Sequence, residues 1–450
     1  MDFGCVGSRG SGPRVVRGSL IGCLALLGAL ACGSEDQAPG SGAGAAPGAS
    51  GSGNTLGGSA GASTAGASGS GGPGGGSTQA GATNAGAANG GATNGGATGI
   101  AGGGTGGVWD GPTGDTDVEG LVGFAAVPAY GTQSTTGAGN GAPLVRVASF
   151  AEFVAAVRDG APRIVEVSGT ITSDGTAMVD VGSNKTIIGV GSAATIDGFG
   201  LDINGWTSKE IAQFGTDVCA PGNIEQFPRA HNVIVRNLTF VNTPDDSINV
   251  QCYSHHVWID HNTFNVSVDG SVDVKRGSDL VTVSWNRFVN TDKTMLLGHS
   301  ANNGEQDRGF LRATYHHNWF DNTATRTPRV RFGYAHVFNN FLSSTDYFLG
   351  LGAEASLYVE GNYVEKAKTL TQTFTESMGY HLTWAPSNRY DQATITRAND
   401  MASVQSDWLD ADGSVQAPTA YTYTLDAADA VPDKVKAGAG AGKLSAAPSP

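Results

Sequence analysis

The sequence predicts an all-β solenoid capped at its N-terminal end by a helix and preceded by an export signal and a disordered Gly/Ala/Ser linker. Three observations carry this. First, VWIDHNTF (257–264), VTVSWNRF (281–288) and ATYHHNWF (313–320) share one template, apolar-x-apolar-x-x-Asn-x-Phe. Second, the template position recurs at Leu238, Asn262, Asn286, Asn318, Asn340 and Asn362, with spacings of 24, 24, 32, 22 and 22. One strand-like core per unit at such a period is the mark of stacked coils. Third, charged residues follow the closing Phe of successive units at nearly one phase: Asp246, Asp269, Lys293 and Arg326. An antiparallel sandwich offers no reason for an Asn at fixed phase.

The chain begins with an export signal. Arg14 and Arg17 precede an apolar run, Leu20 to Leu30, too short to span a bilayer as a stable helix. Small residues at 29 and 31 suit ordinary signal-peptidase cleavage. Cys32 directly after Ala31 suits a bacterial lipoprotein with that cysteine lipidated. The second reading is favoured because a neutral tether follows at once. Residues 37–107 are almost wholly Gly, Ala, Ser, Thr and Asn, with no charge and no aromatic ring. Such a segment has no apolar surface to offset ordering entropy. As a Gly-rich coil its ends would stand about 45 Å apart. The expected organisation is a signal peptide (1–31), a tether (32–117) and one domain (118–445). The expected location is extracellular, free or lipid-anchored at the outer membrane.

Cys5, Cys23 and Cys32 fall in the signal region, leaving Cys219 and Cys252 in the exported domain. Both stand outside the template segments and could pair in an oxidising compartment. No further cysteine completes a zinc set. Net charge is −14. Residues 1–31 contribute +2, which leaves −16 for the remainder. Nucleic acid is therefore excluded as a partner. An acidic substrate requires positive charge gathered locally or supplied by a metal.

SFAEFVAAVRDG (149–160) reads as a helix, with Ser149 as cap, Glu152 completing a capping box and Gly160 as stop. Strands follow at RIVEVSGTI (163–171) and KTIIGVG (185–191). Residues 199–229 break the rhythm and read as an insertion, and NVIVRNLTF (232–240) resumes it. After Asn362 the period fades, so 365–425 reads as loops and 427–439 as a short helix.

Side chains at alternate positions, such as Val257 and Ile259, point inward and build a stacked interior. Asn carries donor and acceptor and tolerates left-handed backbone. Stacked about 4.8 Å apart, the amides can form a ladder. Asp260, His261, His316 and His317 lie inside or beside the template and read as structural hydrogen bonding. For His299 a structural role and a substrate contact both stay open.

On stacked coils the four charges form one line, about 14 Å long over three spacings. It runs acid, acid, base, base. Asp246, Asp269 and Asp273 form a hard oxygen-ligand set suited to calcium. Along an extended strand Asp269 and Asp273 would be about 13 Å apart, so a turn is expected at Gly270.

These segments resemble the calcium-dependent pectate lyases of the parallel β-helix polysaccharide lyase superfamily. The resemblance covers Gly123 to Leu444 and is densest over 232–341. It rests on Trp258-Ile259-Asp260-His261, on Asp246 with the D-x-x-x-D pair Asp269 and Asp273, on Lys293, and on the R-x-P-x-x-R run of Arg326, Pro328 and Arg331. Pro244 stands where some members carry another acid. The resemblance implies a right-handed parallel β-helix acting as a monomer on polygalacturonate, with calcium as cofactor. It implies Arg326 as proton-abstracting base, Lys293 as a second catalytic residue, and Arg331 and Lys275 as substrate-binding residues. It implies Asp246, Asp269 and Asp273 as metal ligands.

The chemistry implied is β-elimination: the hydrogen on carbon-5 leaves, and the 4-linked oxygen is expelled. Cationic groups beside the carboxylate stabilise the enolate-like form. A guanidinium is an unusual base, since it stays protonated in water. Crowding by positive charge in a dry site would be needed, and an electrostatic role for Arg326 is the alternative. A hydrolase on the same scaffold needs a carboxylate pair, which residues 242–246 faintly offer. A non-catalytic binder would have lost Lys293 or Arg326, and a calcium-free pectin lyase the aspartates.

Overall fold

The computed structural model describes residues 120–204, 219, 229–392 and 414–444. The expected signal peptide and tether, and most of the insertion read at 199–229, lie outside the described residues. The domain is a parallel β-helix whose coils present three strand faces. One face is a sheet of ten parallel strands, including His231–Arg236, His255–Asp260, Asp279–Ser284, Arg312–His316 and Tyr334–Phe338. A second face holds short strands such as Thr239–Val241, Thr263–Phe264, Arg287–Val289 and Trp319–Asp321. The third face carries Gly200–Ile203, Ile248–Val250, Gly270–Val274, Lys293–Leu297, Arg329–Val330 and Thr345–Leu351. The 11-residue strand Tyr363–Thr373 runs round the corner and joins the second face to the third.

The template explains this geometry. Val257 and Ile259 point inward and stack in register on Val233 and Val235 below and on Val281 and Val283 above. Phe240, Phe264, Phe288 and Phe320 form a buried column with ring centroids 5.1, 5.1 and 5.2 Å apart. At the corner between the first two faces each amide serves two coils. Asn286 donates Nδ2 to Asn318 Oδ1 (3.1 Å) and to Ile259 O (2.9 Å), and its backbone N–H also donates to Asn318 Oδ1 (3.1 Å). The same pattern joins Asn262 to Asn286, Asn318 to Asn340 and Asn340 to Asn362. At the ladder's other end the Leu238 backbone donates to Asn262 Oδ1 (3.0 Å).

Four expectations are corrected. The left-handed residue of the corner is the one before the ladder Asn: His261 (φ 52°), Trp285 (54°), His317 (54°) and Asn339 (50°). The Asn is selected for its amide hydrogen bonds. The period does not fade at Asn362. It continues 26 residues on, where Asn388 Oδ1 accepts from Asn362 Nδ2 (2.9 Å), and strands His381–Trp384 and Arg389–Gln392 continue the coils. The insertion does not begin at 199, because Gly200–Ile203 is a strand of the third face. The helix is Phe150–Val157, with Ser149 and Glu152 forming the capping box. It ends at Arg158 before Gly160 is reached.

This helix (α1) buries Phe153, Ala156 and Val157 against the first coils. Buried Lys185 donates to the carbonyls of Asp159 (2.5 Å), Ala161 (2.7 Å) and Ser183 (2.8 Å) at its end. A second short helix, Gly304–Asp307 (α2), sits in the longer coil, and Val431–Gly438 (α3) covers Phe341. Cys219 and Cys252 are disulfide-bonded, with Cα atoms 4.8 Å apart.

Candidate active site

The charged residues gather on the third face. Ile248 lies opposite Val272, and Gly270 opposite Lys293. Positions 246, 270 and 293 therefore share one row, and Lys293 bridges onward to Thr325. Asp246, Asp269, Lys293 and Arg326 stand within one residue of that row on four successive coils.

Asp246 is buried and accepts from the Gly270 backbone N–H (2.6 Å) and Lys275 Nζ (3.2 Å). Lys293 Nζ donates to Asp269 Oδ1 at 2.9 Å. Carboxylate oxygens of Asp245, Asp246 and Asp269 lie within 4.8 Å of one another. From the sequence Asp245 enters only through the faint carboxylate pair of residues 242–246, although its place beside Asp246 is a signal for it. Asp273 stands outside that trio, but its Oδ1 and Asp246 Oδ1 crowd the same point beside Gly270. Asp273 Oδ1 is buried and has no hydrogen-bond partner among the described residues. Burial, and then the charge of Asp246, push the Asp273 carboxyl well above the usual carboxylate range. The expected turn at Gly270 is absent. Gly270 opens strand Gly270–Val274, and the bend lies before it, where Ser267 Oγ donates to the carbonyls of Asp269 (3.1 Å) and Gly270 (2.9 Å).

The residues fit a hard cation. All the donors are carboxylate oxygens, one buried oxygen lacks a partner, and the glycine leaves a cradle that a Cβ would fill. Lys275 lies among three acids. Burial works to lower its pKa, and Asp246, Asp273 and Asp202 together carry it upward. It is held as a cation.

The basic end is built by residues 326–331. Arg326 is buried and adopts left-handed backbone (φ 60°), which costs a non-Gly residue about 1–2 kcal/mol. Such conformations concentrate at functional sites. The Thr327–Pro328 peptide is cis. Arg329 and Arg331 are also buried. Burial, then the charge of Arg329 and further that of Arg326, hold the Arg331 guanidinium below its usual range. Glu376 contacts both Arg329 (2.5 Å) and Arg331 (3.1 Å). It was missed because its loop lies outside the repeat. His299 is partly buried beside Asn303 Nδ2 (3.1 Å). Burial, then Arg276, Lys275 and Arg331, keep it neutral, with a pKa of about 3.

Asp260 ends a strand of the ten-stranded sheet, and His261 follows it at the corner. Asp260 accepts from His261 Nδ1 (2.6 Å), Ser284 Oγ (2.6 Å) and Arg236 Nε (3.0 Å). His317 Nε2 meets Asp426 at 2.9 Å on the same side.

A parallel β-helix carrying acids, lysines and arginines in one column is the architecture of a polysaccharide lyase. A family model described as pectate lyase matches residues 120–444, and the chain belongs to that family. Pectate lyase E of Dickeya chrysanthemi is 34% identical over 296 residues, covering 53% of this chain and 67% of that protein. The pectate trisaccharide-lyase of Bacillus licheniformis is 30% identical over 344 residues, covering 72% and 87%. A solved pectate lyase bound to hexasaccharide superposes with a TM-score of 0.57 at 20% identity, covering 74% of this chain and all of the other. One from Bacillus sp. N165 in complex with trigalacturonate gives 0.53 at 24%, covering 72% and all of it.

Proposed function

We propose that this pectate-lyase-family enzyme is exported and cleaves α-1,4-linked polygalacturonate by calcium-assisted β-elimination, releasing 4,5-unsaturated oligogalacturonides. The observation that carries the reading is the alignment of Asp246, Asp269, Lys293 and Arg326 on four successive coils of one face. The export signal, with Cys32 lipidated or cleaved free, supports an extracellular site of action.

Asp245, Asp246, Asp269 and Asp273 are the residues that would hold calcium. Bound there, the ion would add positive charge beside a substrate carboxylate and lower the acidity barrier at carbon-5. Arg331 and Lys275 bind and orient galacturonate carboxylates. Arg326 takes the proton from carbon-5. The electron pair forms the carbon-4 to carbon-5 double bond as the bond to the 4-linked oxygen breaks, and that oxygen leaves, taking a proton from solvent water. Lys293 stabilises negative charge developing on the carboxylate. Burial and the charges of Arg329 and Arg326 hold the Arg331 guanidinium below its usual range, and clustered positive charge in a buried site is what a guanidine base at Arg326 requires. The same crowding and burial answer how an acidic chain accepts an acidic polymer.

Mass analysis of products from polygalacturonate tests this. Fragments one water lighter than hydrolysis products are expected, and saturated fragments would establish a hydrolase instead.

A further inference from the structure

Two arginines of the basic end share one counter-ion. Glu376 Oε1 accepts from Arg329 Nη2 (2.5 Å), Arg331 Nη2 (3.1 Å) and Arg331 Nε (3.3 Å). We propose that Glu376 is a positioning residue for the lyase reaction: it locks the Arg331 guanidinium so that its remaining edge meets a galacturonate carboxylate. This rests on the function proposed above.

The donor count supports it. A guanidinium has five N–H groups in a fixed fork. In Arg331, Nε and one N–H of Nη2 go to Glu376, and one N–H of Nη1 goes to Gly298 O at 3.0 Å. Because one oxygen is shared by Nε and Nη2, it occupies that edge. Among the described residues one N–H each on Nη1 and Nη2 is then left for a carboxylate.

The loop is built to hold Glu376 still. Phe374 lies under the Arg329 guanidinium, 3.6 Å from Cζ to the ring centroid. The Phe374 backbone donates to Ser377 Oγ (2.7 Å), Ser377 Oγ donates to Leu351 O, and the Glu354 backbone donates to Met378 O (2.8 Å). The carboxylate also offsets repulsion between two buried like charges, and its own pKa is lowered by the backbone and Arg329 against the opposing effect of burial.

The test is steady-state kinetics on polygalacturonate for wild type, Glu376→Ala, Glu376→Gln, Arg331→Ala and the double variant. Glu376→Ala is expected to raise KM about tenfold with kcat little changed. Glu376→Gln keeps an oxygen acceptor without the charge and is expected to fall between. In the Arg331→Ala background Glu376→Ala is expected to add nothing, because it acts through that side chain. A lowered KM in Glu376→Ala would overturn the proposal in favour of a plug that substrate displaces. An equal effect with and without Arg331 would overturn it in favour of a purely structural loop. Should Glu376→Ala fail to fold, Glu376→Gln in the two backgrounds gives the same decision. A wild type that makes no unsaturated product defeats the lyase reading itself. An active wild type with an unchanged KM in both variants defeats only the role of Glu376.

Discussion

Asp246 Oδ1 and Asp273 Oδ1 come from two successive coils and both lie 2.6 Å from where a Cβ on Gly270 would stand. A methyl group at 270 would displace both carboxylates. Gly270→Ala is expected to weaken calcium binding about 10- to 100-fold, as loss of supporting geometry does at other metal sites. Calorimetric titration of chelator-treated protein measures it, and unchanged affinity would remove these two oxygens from the ion's shell.

Arg326→Ala is expected to lower kcat on polygalacturonate about 10³-fold, within the range for removing a preorganised charge. This side chain is buried, so thermal unfolding checks that the fold survives its removal. Retained turnover in a folded variant would refute the role of Arg326.

Asn318→Ala is expected to destabilise the fold by about 3 kcal/mol. Asn318 Oδ1 accepts from the Asn286 backbone and side chain, and its Nδ2 donates to Val283 O and Asn340 Oδ1. Its loss takes partners from buried groups on the two neighbouring coils. Denaturant unfolding measures this, and a loss below about 1 kcal/mol would show that the ladder is incidental.

Asp307 predicts a pH dependence of stability. Burial raises its carboxyl to about 7, against the hydrogen bond from Gly277 N–H (2.8 Å). Its Oδ2 is buried without a partner among the described residues. A folded pKa above the unfolded value of 3.8 means that the native state holds the extra proton. Stability from this group is complete below the unfolded value and is lost as pH rises towards 7, by at most about 4 kcal/mol. Asp307→Asn should therefore gain on wild type as pH rises from acid to neutral, and melting curves across that window check the sign.

The coils were legible because the template repeats: alternate apolar residues, one Asn and one Phe fix the inward face at every turn. The column of charges was legible for the same reason, since phase after Phe gives position on the coil. Asn388 was missed because the longer interval disguised one more repetition. The turn expected at Gly270 is absent because a strand starts there, and the convergence is between neighbouring coils: Asp246 and Asp273 meet beside Gly270 without the backbone folding back. Glu376 left no signal, because its partners are set by how a non-repeating loop folds over residues 329–331. Asp245 needed only its neighbour to be noticed.

The most direct measurement is ultraviolet absorbance of unsaturated ends from polygalacturonate, read with chelator and again after calcium is restored. The account predicts a steady rise that chelator abolishes and calcium restores. New reducing ends without absorbance, or a rise indifferent to chelator, would contradict it.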